Sequence, residues 1–233
     1  MIIGNGLLAR AFAPYFAERD DVVIFASGVS NSRETDPAAF ARERAMLDRA
    51  LDRAVAQDQL LVYFSSCSIA DPELTQAPYV LHKHATEKLL AERAPRMAIF
   101  RLPQVVGRTP NPHTLTNYLH QTIASGKHFQ VWNRARRNLI DVDDVAQIGR
   151  RLIERGDTVN RAVNIACPYS VAVPDLVALF ETVMDRQARY DLVDSGGSYH
   201  IDVDPAMSAA AEAGVVMDQN YVIQLLRKYY APQ

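Results

Sequence analysis

The apolar positions of this chain alternate between two rhythms. Short continuous apolar runs at 22–26 and 60–64, and a third run at 97–102, predict strands covered on both faces. Between them the apolar residues are spaced at helical intervals. Leu8, Ala11, Phe12, Tyr15 and Phe16 predict a helix over 7–19, with Pro14 expected to kink it or end its regular part. Phe40, Leu47, Leu51 and Val55 predict a long amphipathic helix from Asp36-Pro37, a good helix entry, to about Gln57. Residues 79–94 read as a helix closed by Pro95, and Met1-Ile2-Ile3 as a short first strand. Downstream, helices are expected over 114–125, 143–155 and 173–186, and strands over 129–132, 139–142 and 162–165. Beyond Asp191 the pattern is less regular: Gly196-Gly197 marks a loop, and 221–230 reads as a last helix. Alternation of this kind predicts an α/β protein with a doubly wound parallel sheet.

Composition narrows the class. A chain of 233 residues holds one large domain, or a core domain with a small lobe. At 48% hydrophobic and 22% charged residues, disordered and fibrous classes are excluded. A net charge of −2 supplies no global basic field, so neither nucleic acid nor an anionic membrane is an expected partner. The apolar runs are far shorter than the ~20 residues of a membrane helix. No charged and apolar leader precedes Gly4, so no signal peptide is expected. Cys67 and Cys167 follow neither a zinc nor a disulfide spacing, which fits a reducing, cytoplasmic setting and no metal.

Two constellations carry chemistry. Gly4-Asn5-Gly6-Leu7-Leu8-Ala9 is a G-x-G-x-x-A turn between the first strand and the first helix, suited to a pyrophosphate at a helix N-terminus. The acidic residue that such a unit places on the ribose is missing: the next strand ends in Ala26-Ser27-Gly28, and Asp20 and Asp21 precede it. Tyr79 and Lys83 stand four apart on one helix face, where an ammonium would lower the phenol's pKa. Ser66 ends the preceding strand, at the edge where open α/β sheets bind ligands. By spacing alone, a solvated Tyr/Lys pair is the commoner arrangement.

The order of motifs adds a resemblance. The glycine turn, Phe64-Ser65-Ser66, Tyr79-x-x-x-Lys83 and Phe100-Arg101-Leu102-Pro103-Gln104-Val105-Val106-Gly107 resemble the extended short-chain dehydrogenase/reductase family, specifically its NAD-dependent epimerase/dehydratase branch. Arg137-Asn138-Leu139-Ile140-Asp141-Val142-Asp143-Asp144-Val145-Ala146, and Asn164-Ile165-Ala166 with Val171 and Leu176, are similar to later segments of that branch, so the likeness covers nearly the whole chain in order.

The resemblance implies a reduced Rossmann-type core over 1–108 and 139–167, interleaved with a small substrate lobe over 109–138 and 168–233. It implies an enzyme using NAD or NADP on a nucleotide-linked sugar. Tyr79 is then the general acid/base, Lys83 lowers its pKa and holds the nicotinamide ribose, and Ser66 hydrogen-bonds the reacting oxygen. The cofactor would lie on Gly4, Asn5, Gly6, Leu7, Leu8, Ala26, Ser27, Gly28, Tyr79, Lys83 and Pro103. Cys67, Gln104 and Arg137 would face the substrate, Arg137 by gripping its diphosphate bidentately. The helices over 37–57 and 79–94 resemble the pair that builds a four-helix homodimer interface.

Two departures stand out. Members of the family normally carry two further strands and their helices between the glycine turn and the strand ending at Ala26; here only residues 7–21 intervene. The loop between Ser66 and Tyr79 is also trimmed. The shortened adenine half keeps open an alternative, a non-catalytic nucleotide-binding sensor or scaffold, and a weaker third, a reductase of a small carbonyl compound. His82 and His84 read as bystanders, Trp132 as packing, and the Ser195-Gly196-Gly197-Ser198-Tyr199-His200 segment as a surface loop.

Overall fold

The computed structural model describes residues 1–232. The chain runs β1 (Ile2–Ile3), α1 (Leu7–Phe16), β2 (Val22–Phe25), α2 (Pro37–Ala56), β3 (Leu60–Ser66), α3 (Pro78–Arg93) and β4 (Met97–Leu102). It continues β5 (Gln104–Val106), α4 (Leu115–Ala124), β6 (His128–Trp132), β7 (Arg136–Arg137), β8 (Leu139–Asp141), α5 (Val142–Arg155) and β9 (Arg161–Asn164). It ends β10 (Val171–Ala172), α6 (Val173–Met184), β11 (Arg189–Val193), α7 (Asp204–Glu212) and α8 (Tyr221–Tyr230). The helix starts follow local chemistry. Asp36 accepts from the Ala38 N–H at 2.9 Å with Pro37 in the first turn, and Thr114 caps α4 through the Asn117 N–H. The first helix continues through Pro14 and stops at Phe16, well short of residue 19. Pro14 withholds one donor, and the helix ends within a turn of it. The pattern missed β11 and α7 in the irregular stretch: β11 is mostly exposed, so it carries no buried alternation to read.

Five parallel strands form the central sheet in the order β1-β2-β3-β4-β9, with helices on both faces. Register alternates the two faces strictly. Ile24 and Val62 pair on one, Phe25 and Tyr63 on the other. The first face packs with Phe12 and Phe16 of α1 and with Val145, Ile148 and Leu152 of α5. The same apolar cluster continues into Ile123, Phe180, Ala209 and Leu226, so α4, α6, α7 and α8 share this core. The second face packs with Leu47 and Leu51 of α2 and Leu89 and Leu90 of α3. Three short pairs lie off the sheet: β5–β8, β6–β11 and β7–β10.

This arrangement fixes a handedness. The connections through α1, α2 and α3 all step the same way across the sheet, yet α1 lies on the opposite face from the other two. Same step and opposite face mean opposite hand. Right-handed crossovers make up about 98% of such units, so α2 and α3 follow the rule and β1–α1–β2 is the left-handed exception. The short 17–21 connection thus brings β1 directly beside β2 while α1 stays on the α5 face.

Gly4 makes that junction possible. Its φ is +125°, and a Cβ there would sit 2.4 Å from the Ala26 carbonyl oxygen. Gly4→Ala is expected to cost on the order of 1–3 kcal/mol through backbone strain and this clash. Urea unfolding checks it: the midpoint should fall with the slope unchanged.

Candidate active site

The chemistry-bearing residues meet at the carboxyl ends of the central strands. Ser66 is the last residue of β3, and its hydroxyl caps the short 3₁₀ turn of Cys67–Ala70 by accepting from the Ser68 N–H at 3.1 Å. Pro78 opens α3, which sets Tyr79 in its first turn and Lys83 one turn on, both buried. The Ser66 hydroxyl is close enough to the Tyr79 phenol to work against the rise of its pKa on burial. Lys83 Nζ lies 5.7 Å from the Tyr79 ring centre.

Lys83 is not a free cation. Its Nζ donates to Glu43 Oε1 at 3.0 Å and to the Tyr63 hydroxyl at 2.9 Å, and that hydroxyl in turn donates to Glu43 Oε1 at 2.6 Å. The second carboxylate oxygen, Glu43 Oε2, accepts from the Val29 N–H at 2.6 Å and faces His82 Nε2 at 3.1 Å. His82 stacks on Phe40 with ring centres 4.7 Å apart. Glu43 therefore ties α2 to β3, α3 and the loop after β2. The sequence reading missed it because α2 is crowded with charges, and nothing local marks Glu43 as the buried one. His82, read as a bystander, belongs to this network.

The electrostatics correct the expected tuning of Tyr79. Burial pushes its phenol up to about 12; the Ser66 hydrogen bond works against this, while Glu43, Cys67 and Tyr199 add to it. Lys83 does not lower it, because the Lys83 charge is met by Glu43 at 3.0 Å. Burial would raise Glu43, but His82, Lys83, Tyr63 and the Val29 N–H outweigh it and hold the carboxyl down at about 2. Burial pushes Lys83 down and Glu43 works against that; the two hydrogen bonds on Nζ favour a charged pair.

The cofactor residues divide into those that suit a dinucleotide and those that do not. Gly4, Asn5 and Gly6 are exposed, and a Cβ on Gly6, the cap of α1, would meet nothing within 4 Å. The start of α1, at Leu7 and Leu8, is thus open to an anion, as a diphosphate needs. Gly28 lies over the ion pair: a Cβ there would stand 3.0 Å from Lys83 Nζ and 3.1 Å from Glu43 Oε1. Pro103 is half-buried between β4 and β5, beside the same cleft. These residues fit a diphosphate and a nicotinamide ribose. Ser27 does not: its hydroxyl turns towards Met46 Sδ of α2 at 3.8 Å, leaving Ala26 and Ser27 to offer backbone only.

On the substrate side the expected set is revised. Cys67 is buried, its thiol donates to the Arg101 carbonyl at 3.3 Å, and burial pushes it up to about 12; it is a packing residue. Gln104 starts β5, half-buried, with its N–H on the Asn138 carbonyl. Arg137 is half-buried and in no ion pair among the described residues. Burial pushes its guanidinium down, with Tyr199, Asp71 and Glu73 on one side and Arg33 on the other. Arg134 pairs with Asp194 at 3.2 Å, Arg136 donates to the Ser170 carbonyl, and Arg137 itself donates to the Arg136 carbonyl at 2.7 Å. Trp132 is 42% exposed rather than packed inside.

The 195–200 segment packs against the loop after β3. Gly197 abuts Glu73, where a Cβ would come within 2.7 Å of Oε1. Tyr199 reaches Ser68; burial raises its phenol to about 12, with Cys67, Asp71 and Arg137 as charged neighbours. Tyr199 is a second buried phenol close enough to raise the Tyr79 pKa slightly. Only the tertiary contact reveals it.

The sequence model of the NAD dependent epimerase/dehydratase family matches residues 7–166. No curated protein matches the chain in sequence. Among solved structures, a UDP-galactose 4-epimerase superposes with a TM-score of 0.70 at 17% identity, over 93% of this chain and 78% of that one. A UDP-glucuronic acid 4-epimerase from Bacillus cereus, in complex with UDP-glucuronic acid and NAD, gives 0.67 at 16%, over 88% and 76%. RMD from Pseudomonas aeruginosa complexed with NADPH gives 0.66 at 18%, over 97% and 85%. At these identities the structures share the fold.

Proposed function

The chain belongs to the NAD-dependent epimerase/dehydratase family, and from that premise we propose that it is an NAD(P)-dependent oxidoreductase, epimerase or dehydratase acting on a nucleotide-linked sugar. The observation that supports this most is the nearness of Ser66, Tyr79 and Lys83 at the carboxyl edge of the sheet, with Arg137, in no ion pair among the described residues, near Asp71, Glu73 and Tyr199. The substrate would lie between the core of residues 1–108 and 139–167 and the lobe of 109–138 and 168–233.

A bound nicotinamide would supply or accept hydride at a sugar carbon. The chain's own residues handle the proton and the geometry. With its phenol at about 12, Tyr79 is protonated at neutral pH, so it is poised to donate to the oxygen of a sugar carbonyl. Ser66 Oγ donates a hydrogen bond to the same oxygen. Lys83, fixed by Glu43 and Tyr63 beneath Gly28, holds the nicotinamide ribose. Arg137 grips the nucleotide diphosphate through its planar fork.

Native mass spectrometry of the purified protein, with a screen of nucleotide sugars for nicotinamide absorbance change or product epimer, tests this reading. A retained dinucleotide or turnover supports it; neither, across the screen, overturns it. On the substrate found, Arg137→Ala should raise KM about tenfold or more with kcat nearly unchanged, because the diphosphate is gripped equally in ground and transition states. A fall in kcat alone would assign Arg137 to the chemical step instead. We also propose a homodimer through the outer faces of α2 and α3, where Leu81 stands 48% exposed; sedimentation showing only monomer would remove it.

A further inference from the structure

The carboxyl edge of the sheet treats the two halves of a dinucleotide unequally. Towards β3 and β4 stand Ser66, Tyr79 and the clamped Lys83. In the other direction the sheet stops: among the described residues β1 pairs with β2 alone. In dinucleotide-binding sheets the adenosine ribose is read by a carboxylate at the tip of the strand beyond the glycine strand, on the side away from the nicotinamide. Here the neighbour of β1 is β2, which lies on the nicotinamide side and ends in Ala26-Ser27-Gly28. The acidic residues near β1 are Glu18, Asp20 and Asp21, in the turn from α1 to β2, at the amino edge of the sheet. That is the opposite edge from the glycine turn.

Outside β1 there is instead a groove of about 720 Å³ that runs from Asn5, Arg10 and Ala13 beside the glycine turn to Glu18, Asp20 and Arg53 at the amino edge of the sheet. Arg10 is the cation nearest the glycine turn. Its guanidinium donates to the Asn5 carbonyl at 3.3 Å and the Arg108 carbonyl at 3.4 Å, so it braces the turn itself. A charge in that position meets the diphosphate, which NAD and NADP have in common.

We propose that this site reads the nicotinamide, its ribose and the diphosphate, leaves the adenosine unread, and therefore takes NAD and NADP alike. The inference rests on the dinucleotide function proposed above and concerns where its binding energy comes from. Discrimination is a difference of two affinities, and it needs a group that meets the 2′ position in one cofactor and is repelled or left unpaired by the other. Among the described residues lining the groove, the carboxylates Glu18 and Asp20 stand at the far, amino edge, and the cation at the glycine end, Arg10, is engaged with the turn, so the 2′ position meets neither a carboxylate nor a free cation there.

Calorimetric titration of the full chain at one salt concentration tests this with NADH, NADPH, reduced nicotinamide mononucleotide and AMP. The dissociation constants of NADH and NADPH should agree within about threefold, and the mononucleotide should follow within about tenfold, while AMP gives no measurable binding. Arg10→Ala should weaken NADH and NADPH by the same factor. Discrimination beyond about thirtyfold, loss confined to NADPH in Arg10→Ala, or tight AMP binding would show that the adenosine half is read, and would overturn the proposal. Binding of NADH without the mononucleotide would do the same, placing the adenosine in the groove outside β1. No heat with any of the three reduced nicotinamides would overturn the dinucleotide function itself, and this inference with it.

Discussion

Tyr79→Phe is expected to lower turnover by roughly 10²–10⁴-fold, the usual cost of losing a positioned acid or base. The ring is buried against its neighbours, so its packing survives and cofactor affinity should stay within about twofold. The pH dependence gives a second readout. Because burial holds the phenol at about 12, Tyr79 remains a proton donor throughout pH 6–10, and reduction of a carbonyl substrate should show no alkaline limb from this group. A break in that range which disappears in Tyr79→Phe would show that bound substrate or cofactor pulls the phenol down. Unchanged turnover in Tyr79→Phe would remove the proposed mechanism and favour the non-catalytic nucleotide sensor.

Glu43→Leu should be the most destabilising single change at the site. It leaves the Lys83 ammonium, 2% exposed, without its counter-charge and strips the Val29 N–H of its acceptor. Removing one partner of a buried pair costs about 3–5 kcal/mol. In a protein of this size that is a fall of roughly 10 °C in Tm. Glu43→Leu combined with Lys83→Met should recover much of the loss, since no uncompensated charge is then buried. Acid titration gives the matching sign. A carboxyl held at about 2 instead of its ordinary 4.5 adds stability that is complete above the unfolded value and is lost as pH falls through the folded one. The contribution is about 3 kcal/mol, so wild type should lose stability between pH 4.5 and 2, and that component should be absent in Glu43→Leu. Equal acid sensitivity in both would show that the Glu43 network is not the source.

The legibility of this protein follows distance along the chain. Runs such as 22–26 and 60–64 were readable because burial on both faces of a parallel strand leaves no polar position to confuse the pattern. The start of α2 was readable because a cap acts over two residues, Asp36 to Ala38. Tyr79 and Lys83 were readable as a pair because one helix turn fixes their spacing. Glu43 was not. Its partners Val29, Tyr63 and Lys83 come from three other elements, and in sequence it is one carboxylate among the many charges of α2. Tyr199 was not readable either, since only the seating of the 195–200 loop against Glu73 and Ser68 brings it to the cleft.

By itself, then, the sequence determined most of the elements, the two-faced burial of the central strands and the one-turn spacing of Tyr79 and Lys83, all governed by periodicity or by neighbours within a turn, while the grouping of Ser66 with that pair came from the resemblance. Only the tertiary structure decided that Lys83 is paired with Glu43, that burial raises the Tyr79 phenol, and that β1 is an edge strand among the described residues, joined by a left-handed connection. Those depend on which distant groups share a low-dielectric interior, and on which face each helix covers. Residue order alone specifies neither, because charge pairing and strand neighbours are settled by packing in space.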